Sequence, residues 1–255
     1  MSNQVHNRIT DSAKKREKQF AVLIDPDKID GKSLGRIIDL AVDSHVDYFF
    51  VGGSLMVNNF LDECLQIISE SCDIPTVLFP GSPAQVSPFA DAILLLSLVS
   101  GRNPNLLIGE QVLAAPAIKR SGLEVISTGY MLVDGGKPTT VSYISNTTPI
   151  PQDKPDIAVC TAMAAEMLGF KTIYLDTGSG AKHSVSSEMI NAAKSNISIP
   201  LIVGGGITTP EKAAEVCQAG ADIVVVGNAL EKSPNLVRDI SIAVHANAKP
   251  AALHG

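Results

Sequence analysis

With 255 residues, 45% of them hydrophobic, the chain can bury the core of one large α/β barrel or of two small domains. Its net charge of -6 and its lack of tryptophan argue against a nucleic-acid partner. Its apolar runs are shorter than the roughly 18 residues of a membrane span, and the polar segment 1–18 is unlike a secretory signal. Four cysteines without zinc-like or disulfide spacing are expected to be buried thiols in a reducing compartment. These features predict a cytoplasmic protein.

Short apolar segments alternate with helical patterns in the first half of the chain, which is typical of a parallel β/α arrangement. An N-terminal arm or entry helix is expected over residues 1–18. Strands are predicted at 19–25, 47–53, 75–81 and 91–98, and helices at 33–44, at 55–71 and from 104 to about 121. Between the third and fourth strands, Pro83 and Pro88 exclude a full crossover helix in segment 82–90. The third helix of the barrel is therefore predicted to be shortened or replaced by a loop.

The second half of the chain continues the same alternation. Strands are predicted at 124–133, 171–176, 200–204 and 221–227, and helices at 156–168, 186–195, 210–219 and 235–245. The polar segment 134–154 is either a linker or a functional excursion, and the regular unit that resumes after it favours the excursion. Eight parallel strands predict a single α/β domain over residues 1–255, a modified (β/α)8 TIM barrel with a frayed tail at 246–255.

Two glycine loops follow the last two predicted strands, at 203–206 and at 226–228. The first loop leads to Thr209, a helix N-cap, and to Pro210 at the first helical position. Free backbone N–H groups at a helix N-terminus bind phosphate, and a TIM barrel forms its phosphate site after strands 7 and 8. The glycines could also serve only as tight turns, but two consecutive loops favour a phosphate site.

Charged and hydroxyl side chains follow the first two predicted strands. Asp25, Asp27 and Lys28 end the first strand, and Ser54 follows the second. Carboxylate and hydroxyl oxygens at the C-terminal end of a barrel suit Mg²⁺, which takes one or two protein oxygens and fills its other positions with water and substrate phosphate. We interpret Asp25 as a metal-binding or catalytic residue and Asp27 as a turn cap, while Ser54 taken alone is a helix N-cap.

Seven segments of the chain carry a family resemblance as a set. They are LIDPDK (23–28), YFFVGGSLM (48–56), PGSP (80–83), SGRNP (100–104), YLDTGSGA (174–181), IVGGGI (202–207) and VVVGNAL (224–230). Together they resemble the geranylgeranylglyceryl phosphate synthase family, which includes the heptaprenylglyceryl phosphate synthases, and most closely its branch in some archaea and in Bacteroidetes. The matches extend from about residue 19 to residue 233.

The resemblance implies a barrel without a regular third helix and a Mg²⁺-dependent prenyltransferase of lipid biosynthesis. In that reaction the 3-hydroxyl of sn-glycerol 1-phosphate attacks C1 of a polyprenyl diphosphate, here expected to be geranylgeranyl diphosphate, and diphosphate leaves. The resemblance also implies a homo-oligomer, either a dimer or a hexamer, and transient membrane proximity through the prenyl chain. We expect the prenyl tail to lie beside the missing helix, near Leu78, Phe79, Phe89 and Leu106.

The resemblance also assigns site residues by position. Asp25 and Ser54 would bind Mg²⁺, Asp176 would accept the proton, and Tyr174 would orient the hydroxyl or the phosphate. The residues assigned to glycerol phosphate are Tyr174, Leu175, Asp176, Thr177, Gly178, Ser179, Gly180, Gly205, Gly206, Gly227 and Asn228.

One departure concerns the proton acceptor. Asp176 and Thr177 stand where the family usually has glutamate and alanine. Because aspartate is one methylene shorter, either the backbone moves in, or a water bridges the gap, or the activity is weaker. Two other functions stay open: another phosphate-binding barrel enzyme, such as a flavin-dependent oxidase or a sugar-phosphate isomerase, and a non-catalytic sensor of a phosphate ligand.

Overall fold

The computed structural model describes residues 4–58 and 60–247, and its centre is a closed barrel of eight parallel strands. Each strand pairs with the next in chain order, and the last pairs with the first. The strands are β1 (Gln19–Ile24), β2 (Tyr48–Val51), β3 (Thr76–Leu78), β4 (Ala92–Leu98), β5 (Glu124–Leu132), β6 (Thr172–Asp176), β7 (Leu201–Gly204) and β8 (Ile223–Val226). The predicted TIM barrel is confirmed.

Helices surround the barrel. They are α1 (Gln4–Lys15), α2 (Gly31–Asp43), α3 (Leu61–Ser71), α4 (Glu110–Ser121), α5 (Thr140–Ser145), α6 (Pro155–Met167), α7 (Ser187–Ser195), α8 (Pro210–Ala219), α9 (Asn228–Lys232) and α10 (Leu236–His245). A π-helical turn, Asn105–Gly109, leads directly into α4. Residues 79–91, all of which the structure describes, contain no helix, as the two prolines predict.

Three helices differ from the sequence-based expectation. The helix predicted at 55–71 begins only at Leu61, because the preceding loop folds over Asp27, whose carboxylate accepts the backbone N–H groups of Val57 (2.6 Å) and Asn58 (3.1 Å). The excursion at 134–154 contains α5, which begins with a capping box between Thr139 and Ser142. The short helix α9 directly after β8 was not predicted.

Two apolar layers form the core. Along each strand, alternate residues point outward to the helices or inward to the barrel axis. Phe20, Val22 and Phe49 belong to the outer layer, whereas Ala21 and Tyr48 belong to the inner one. Both layers exclude solvent, which explains why the strands read as nearly continuous apolar runs.

Helix α1 closes the N-terminal end of the barrel. Val5 and Ile9 pack into the inner layer, and the buried carboxylate of Glu124 accepts the backbone N–H groups of Val5 (2.9 Å) and His6 (2.8 Å). Arg8 lies over the ring of Tyr48, 5.1 Å from its centroid. The cavity described below lies at the opposite, C-terminal end of the barrel.

Some predictions about the whole chain are untested, and one needs correction. The single-domain assignment stays a prediction, and residues 248–255 of its tail lie outside the described part. All four cysteines are free thiols, and Cys64 and Cys217 are buried as expected; Cys160 is exposed and Cys72 only partly buried, so the expectation of buried thiols is wrong for those two. Among the described residues, no helix is both long enough and apolar enough to cross a bilayer.

Candidate active site

A cavity opens at the C-terminal end of the barrel and collects most of the predicted site residues. The predicted residues that line it are Asp25, Ser54, Tyr174, Asp176, Ser179, Gly180, Gly205, Gly206, Gly227 and Asn228. Leu175, Thr177 and Gly178 are not part of this lining. Leu175 is completely buried in the outer apolar layer, because successive side chains of a strand point to opposite faces.

Asp176 is the most deeply enclosed carboxylate of the cavity, with 6% of its surface exposed. The Tyr130 hydroxyl donates to Asp176 Oδ2 at 2.6 Å, and the Gly178 backbone N–H donates to Oδ1 at 2.8 Å. Burial raises the pKa of Asp176 above its ordinary value, and the two hydrogen bonds oppose that rise. A fixed carboxylate with a raised pKa is better suited to accept a proton than an exposed one.

Three aromatic rings surround the approach to this carboxylate. Tyr174 stacks on Phe79, with centroids 5.0 Å apart, and Tyr130 meets Tyr174 edge-on at 5.6 Å. Burial, together with the negative charge of Asp176, raises the pKa of both tyrosines well above the ordinary value. Both hydroxyls therefore stay protonated, and Tyr130 acts as a donor to Asp176.

Tyr130 lines the cavity and contacts Asp176, although its position within the predicted fifth strand did not mark it as a site residue. Tyr130 lies opposite Tyr174 in the β5–β6 register, so both side chains point into the barrel. The alternation of inward and outward side chains along β5 indicates Tyr130 once the β5–β6 register is known.

The loops after β6, β7 and β8 meet at one side of the cavity. Ser179 Oγ donates to Asn228 Oδ1 at 2.7 Å, which joins the β6 loop to the first residue of α9. Gly205 has a left-handed φ of 79°, and a Cβ there would lie 2.7 Å from Asp176 Oδ1. That same Cβ would also collide with the buried hydroxyl of Thr177, which has no hydrogen-bond partner among the described residues. Only glycine fits between these groups.

Helix α8 begins shortly after the glycine loop, as predicted. Thr209 Oγ1 accepts the backbone N–H of Lys212 at 3.2 Å, and Pro210 occupies the first turn. The cap satisfies one of the free N–H groups at this helix end.

Asp25 and Ser54 lie at the opposite side of the cavity. Asp25 Oδ2 forms an ion pair with Lys28 Nζ at 2.6 Å, and Oδ1 accepts the backbone N–H of Asp27 at 3.1 Å. The loop after β2 packs on this carboxylate, since a Cβ on Gly53 would lie 3.1 Å from Oδ1. Asp27 itself anchors the loop before α3, in keeping with its interpretation as a cap.

The donor set of Asp25 and Ser54 is small. Among the described residues no group of three or more histidine, cysteine, aspartate or glutamate side chains could hold a metal ion. One carboxylate and one hydroxyl nevertheless match Mg²⁺, because this ion commonly keeps several waters and takes its remaining oxygens from substrate phosphates. The residues present fit Mg²⁺ in type.

An apolar groove extends from the cavity along the side of the barrel that lacks a helix. It is lined mainly by Phe79, Pro80, Val86, Ile93, Leu95, Leu96, Leu98, Leu106, Ala114, Ile118, Tyr130, Val141 and Ile144. Phe79 and Tyr130 also line the cavity, so the two spaces meet at the aromatic rings. Of the residues expected beside the prenyl tail, Phe79 and Leu106 line the groove. Leu78 belongs instead to the outer core, and Phe89 lies outside the lining with 41% of its surface exposed.

Comparison with known proteins agrees with these features. Residues 12–245 match the PcrB family. The chain belongs to this family. It is 58% identical to a geranylgeranylglyceryl phosphate synthase of Chitinophaga pinensis over 97% of this chain and 98% of the relative. It is 40% identical to the synthase of the same name from Korarchaeum cryptofilum, over 87% of this chain and 91% of the relative.

The fold of the PcrB family chain is also similar to a solved structure. The crystal structure of (S)-3-O-geranylgeranylglyceryl phosphate synthase from Thermoplasma acidophilum, in complex with its substrate sn-glycerol-1-phosphate, superposes with a TM-score of 0.90. That protein is 32% identical, and the match covers 95% of this chain and 98% of the other. The family resemblance seen in the seven segments is confirmed, while the roles of the individual site residues stay predictions.

Proposed function

We propose that the chain transfers a polyprenyl group, geranylgeranyl in the first instance, from its diphosphate to the 3-hydroxyl of sn-glycerol 1-phosphate. The observation that carries this proposal is the junction at Phe79 and Tyr130, where an apolar groove opens into a cavity that holds a buried carboxylate and the glycine loops. Such a junction suits a reaction between a long apolar diphosphate and a small polar phosphate. The names of the relatives and the ligand of the Thermoplasma acidophilum structure support it.

Glycerol phosphate binds in the region where the β6, β7 and β8 loops meet. Gly205 and Gly206 bring backbone close to the ligand, and Gly227 and Asn228 begin α9 directly after β8. Ser179 adds a hydroxyl to this group. Backbone N–H groups at such loops favour a phosphate dianion without requiring a lysine.

Asp176 accepts the proton of the attacking hydroxyl. The O–C1 bond forms, the C1–O bond to diphosphate breaks, and the hydroxyl proton passes to the carboxylate of Asp176. Tyr130 holds Oδ2 and Gly178 holds Oδ1, so the carboxylate enters the reaction already oriented. Tyr174, beside Asp176 on β6, borders the same space and orients the hydroxyl.

The prenyl chain lies in the apolar groove with C1 at the aromatic junction. The rings of Phe79 and Tyr130 line both spaces, and Tyr174 stacks on Phe79. Aromatic rings attract the positive charge that develops on an allylic carbon as diphosphate departs. Asp25 and Ser54 are the residues that would hold Mg²⁺. When bound there, this ion would neutralise the leaving diphosphate.

We further propose that the protein assembles as a dimer or a hexamer in the cytoplasm and meets membranes only through its prenyl substrate or product. Tyr143 on α5 is 84% exposed, and its neighbour Ile144 is 50% exposed. Exposed aromatic side chains beside other apolar residues are common anchors of protein interfaces.

The direct test is product formation. Purified protein is incubated with radiolabelled sn-glycerol 1-phosphate, Mg²⁺ and, separately, geranyl, farnesyl, geranylgeranyl and heptaprenyl diphosphates. A labelled, solvent-extractable ether is expected, most rapidly with geranylgeranyl diphosphate. The mirror-image sn-glycerol 3-phosphate is the control for the phosphate site. Binding of sn-glycerol 1-phosphate without any product would instead favour a phosphate sensor.

A further inference from the structure

The charged side chains that line the cavity bear on how the prenyl diphosphate would bind. Four carboxylates line the cavity, those of Asp25, Asp27, Asp176 and Glu231. Within the part of the chain that the structure describes, Lys28 is the only lysine or arginine in that lining. The proposed function nevertheless brings a phosphate and a diphosphate together here. The glycine loops serve the phosphate, with Lys137 Nζ 3.9 Å from where a Cβ on Gly180 would lie. Lys28 is the side-chain cation of the lining on the side of Asp25.

Lys28 is held on the carboxylate that would bind a divalent cation. A turn, with the Lys28 backbone N–H donating to Asp25 O at 3.0 Å, brings the ammonium to 2.6 Å from Asp25 Oδ2. The other oxygen, Oδ1, accepts the backbone N–H of Asp27. The ammonium therefore covers the Asp25 oxygen that makes no contact with this backbone N–H.

The ion pair between Lys28 and Asp25 can be broken at little cost in free energy. The Asp25 side chain is 13% exposed and needs a compensating charge, whereas the Lys28 side chain is 45% exposed on a flexible stem of four carbons. An ion pair with such an exposed partner contributes little free energy, so its loss is readily offset by another ligand.

We propose that Lys28 is an exchangeable countercharge: it occupies Asp25 in the free protein and turns to the substrate diphosphate when a divalent cation takes the carboxylate. The identity of that diphosphate rests on the proposed function. The exchange itself rests on the ion pair, on the position of Lys28 in the cavity and on the carboxylates of Asp25 and Asp27 beside it.

A second ion pair of the chain provides a matched comparison. Lys212 and Glu215 have the same spacing along the chain and the same separation of 2.6 Å, but they lie on the solvent-facing side of α8 and neither residue lines the cavity. Lys212→Met therefore removes an equivalent ion pair without touching the site.

The experiment measures two affinities of Lys28→Met in the full-length protein. Mn²⁺ alone is titrated and followed by electron paramagnetic resonance, and inorganic diphosphate is titrated in saturating Mn²⁺ and followed by calorimetry. Mn²⁺ should bind about two- to fivefold more tightly, because the competing ammonium is gone. Diphosphate should bind at least about tenfold more weakly, because a charge-assisted hydrogen bond is lost. Lys212→Met should change neither affinity.

Opposite changes in the two affinities distinguish exchange from a structural role. If Lys28 only shaped the turn, its loss would weaken Mn²⁺ binding as well, and that result overturns the proposal. Unchanged diphosphate binding, or a wild-type protein that binds no Mn²⁺, overturns it too. Lys28→Arg keeps the charge and should retain diphosphate binding, which guards against a misfolded methionine variant. These assays measure binding and need no turnover, so they test the exchange independently of the prenyl-transfer activity.

Discussion

Replacement of Asp176 by asparagine should remove activity without removing stability. Asparagine has nearly the same shape, and its amide can keep both contacts: Oδ1 accepts the Gly178 N–H, and Nδ2 donates to the Tyr130 hydroxyl, which can also accept. What disappears is the proton acceptor. Loss of a general base costs on the order of 10²–10⁴-fold in rate, which corresponds to about 3–5 kcal/mol of transition-state stabilisation.

The stability of the same variant follows from the raised pKa of Asp176. The folded state raises this pKa above its ordinary value of 3.8, chiefly because burial penalises the charged form. The folded protein therefore binds the proton more tightly than the unfolded chain, and the free energy of unfolding falls as pH rises from the ordinary value to the raised one. Above the raised pKa the carboxylate is charged in both states, and the full free-energy cost of burying its charge lowers stability. Asp176→Asn removes it, so the melting temperature at neutral pH should equal or exceed that of the wild type.

Two measurements test the role of Asp176 in catalysis and in stability. Single-turnover assays with saturating sn-glycerol 1-phosphate report the chemical step, and thermal unfolding followed across acidic to neutral pH reports stability. Retention of most of the turnover would mean that ionisation of the allylic diphosphate carries the reaction without a protein base. A lower melting temperature at neutral pH would mean that the carboxylate supports the fold. Either result refutes the reasoning above.

The other predictions concern Tyr130, Gly205, Asp25 and Tyr143. Tyr130→Phe removes a hydrogen bond that lowers the pKa of Asp176, so the acidic limb of kcat/KM against pH should move to higher pH; an unmoved limb would separate Tyr130 from the base. Gly205→Ala should weaken sn-glycerol 1-phosphate binding at least about tenfold in calorimetry, since its Cβ would crowd Asp176; unaltered binding would place the phosphate elsewhere. Asp25→Asn should abolish Mg²⁺-supported turnover while circular dichroism stays unchanged, whereas near-normal activity would make Asp25 a strand terminator only. Tyr143→Ala should lower the mass seen in light scattering, and an unaltered mass would exclude an anchoring role.

Local sequence rules predicted most of the barrel because they depend on neighbours along the chain. Apolar runs bounded by glycine and proline located the eight strands, Thr209 with Pro210 located the start of α8, and Pro83 with Pro88 removed the third helix. The later start of α3 was missed because Asp27, far away in sequence, holds the preceding loop through backbone N–H groups. No local pattern contains such a contact.

The site residues that follow the ends of strands were predicted from the sequence. Those whose position depends on strand pairing or on a turn were not. Rules for the C-terminal end of a barrel pointed to Asp25 and to the glycine loops. Tyr130 required the pairing of β5 with β6, and the ion pair between Lys28 and Asp25 required the turn that joins them. The first is a side-chain placement fixed by tertiary packing, and the second depends on the conformation of a local turn; residue types alone specify neither.

The short carboxylate of Asp176 is best understood together with its surroundings. A glutamate would reach further into the cavity, but the Gly178 N–H lies within two residues and at the right distance for an aspartate oxygen. Gly205 packs against the same carboxylate, because a Cβ there would lie 2.7 Å from Oδ1. Asp176 also lines the cavity, so we expect the substrate hydroxyl to reach it from the cavity. The close packing of Gly205 and Gly178 on this carboxylate suits the shorter acid without a displaced backbone.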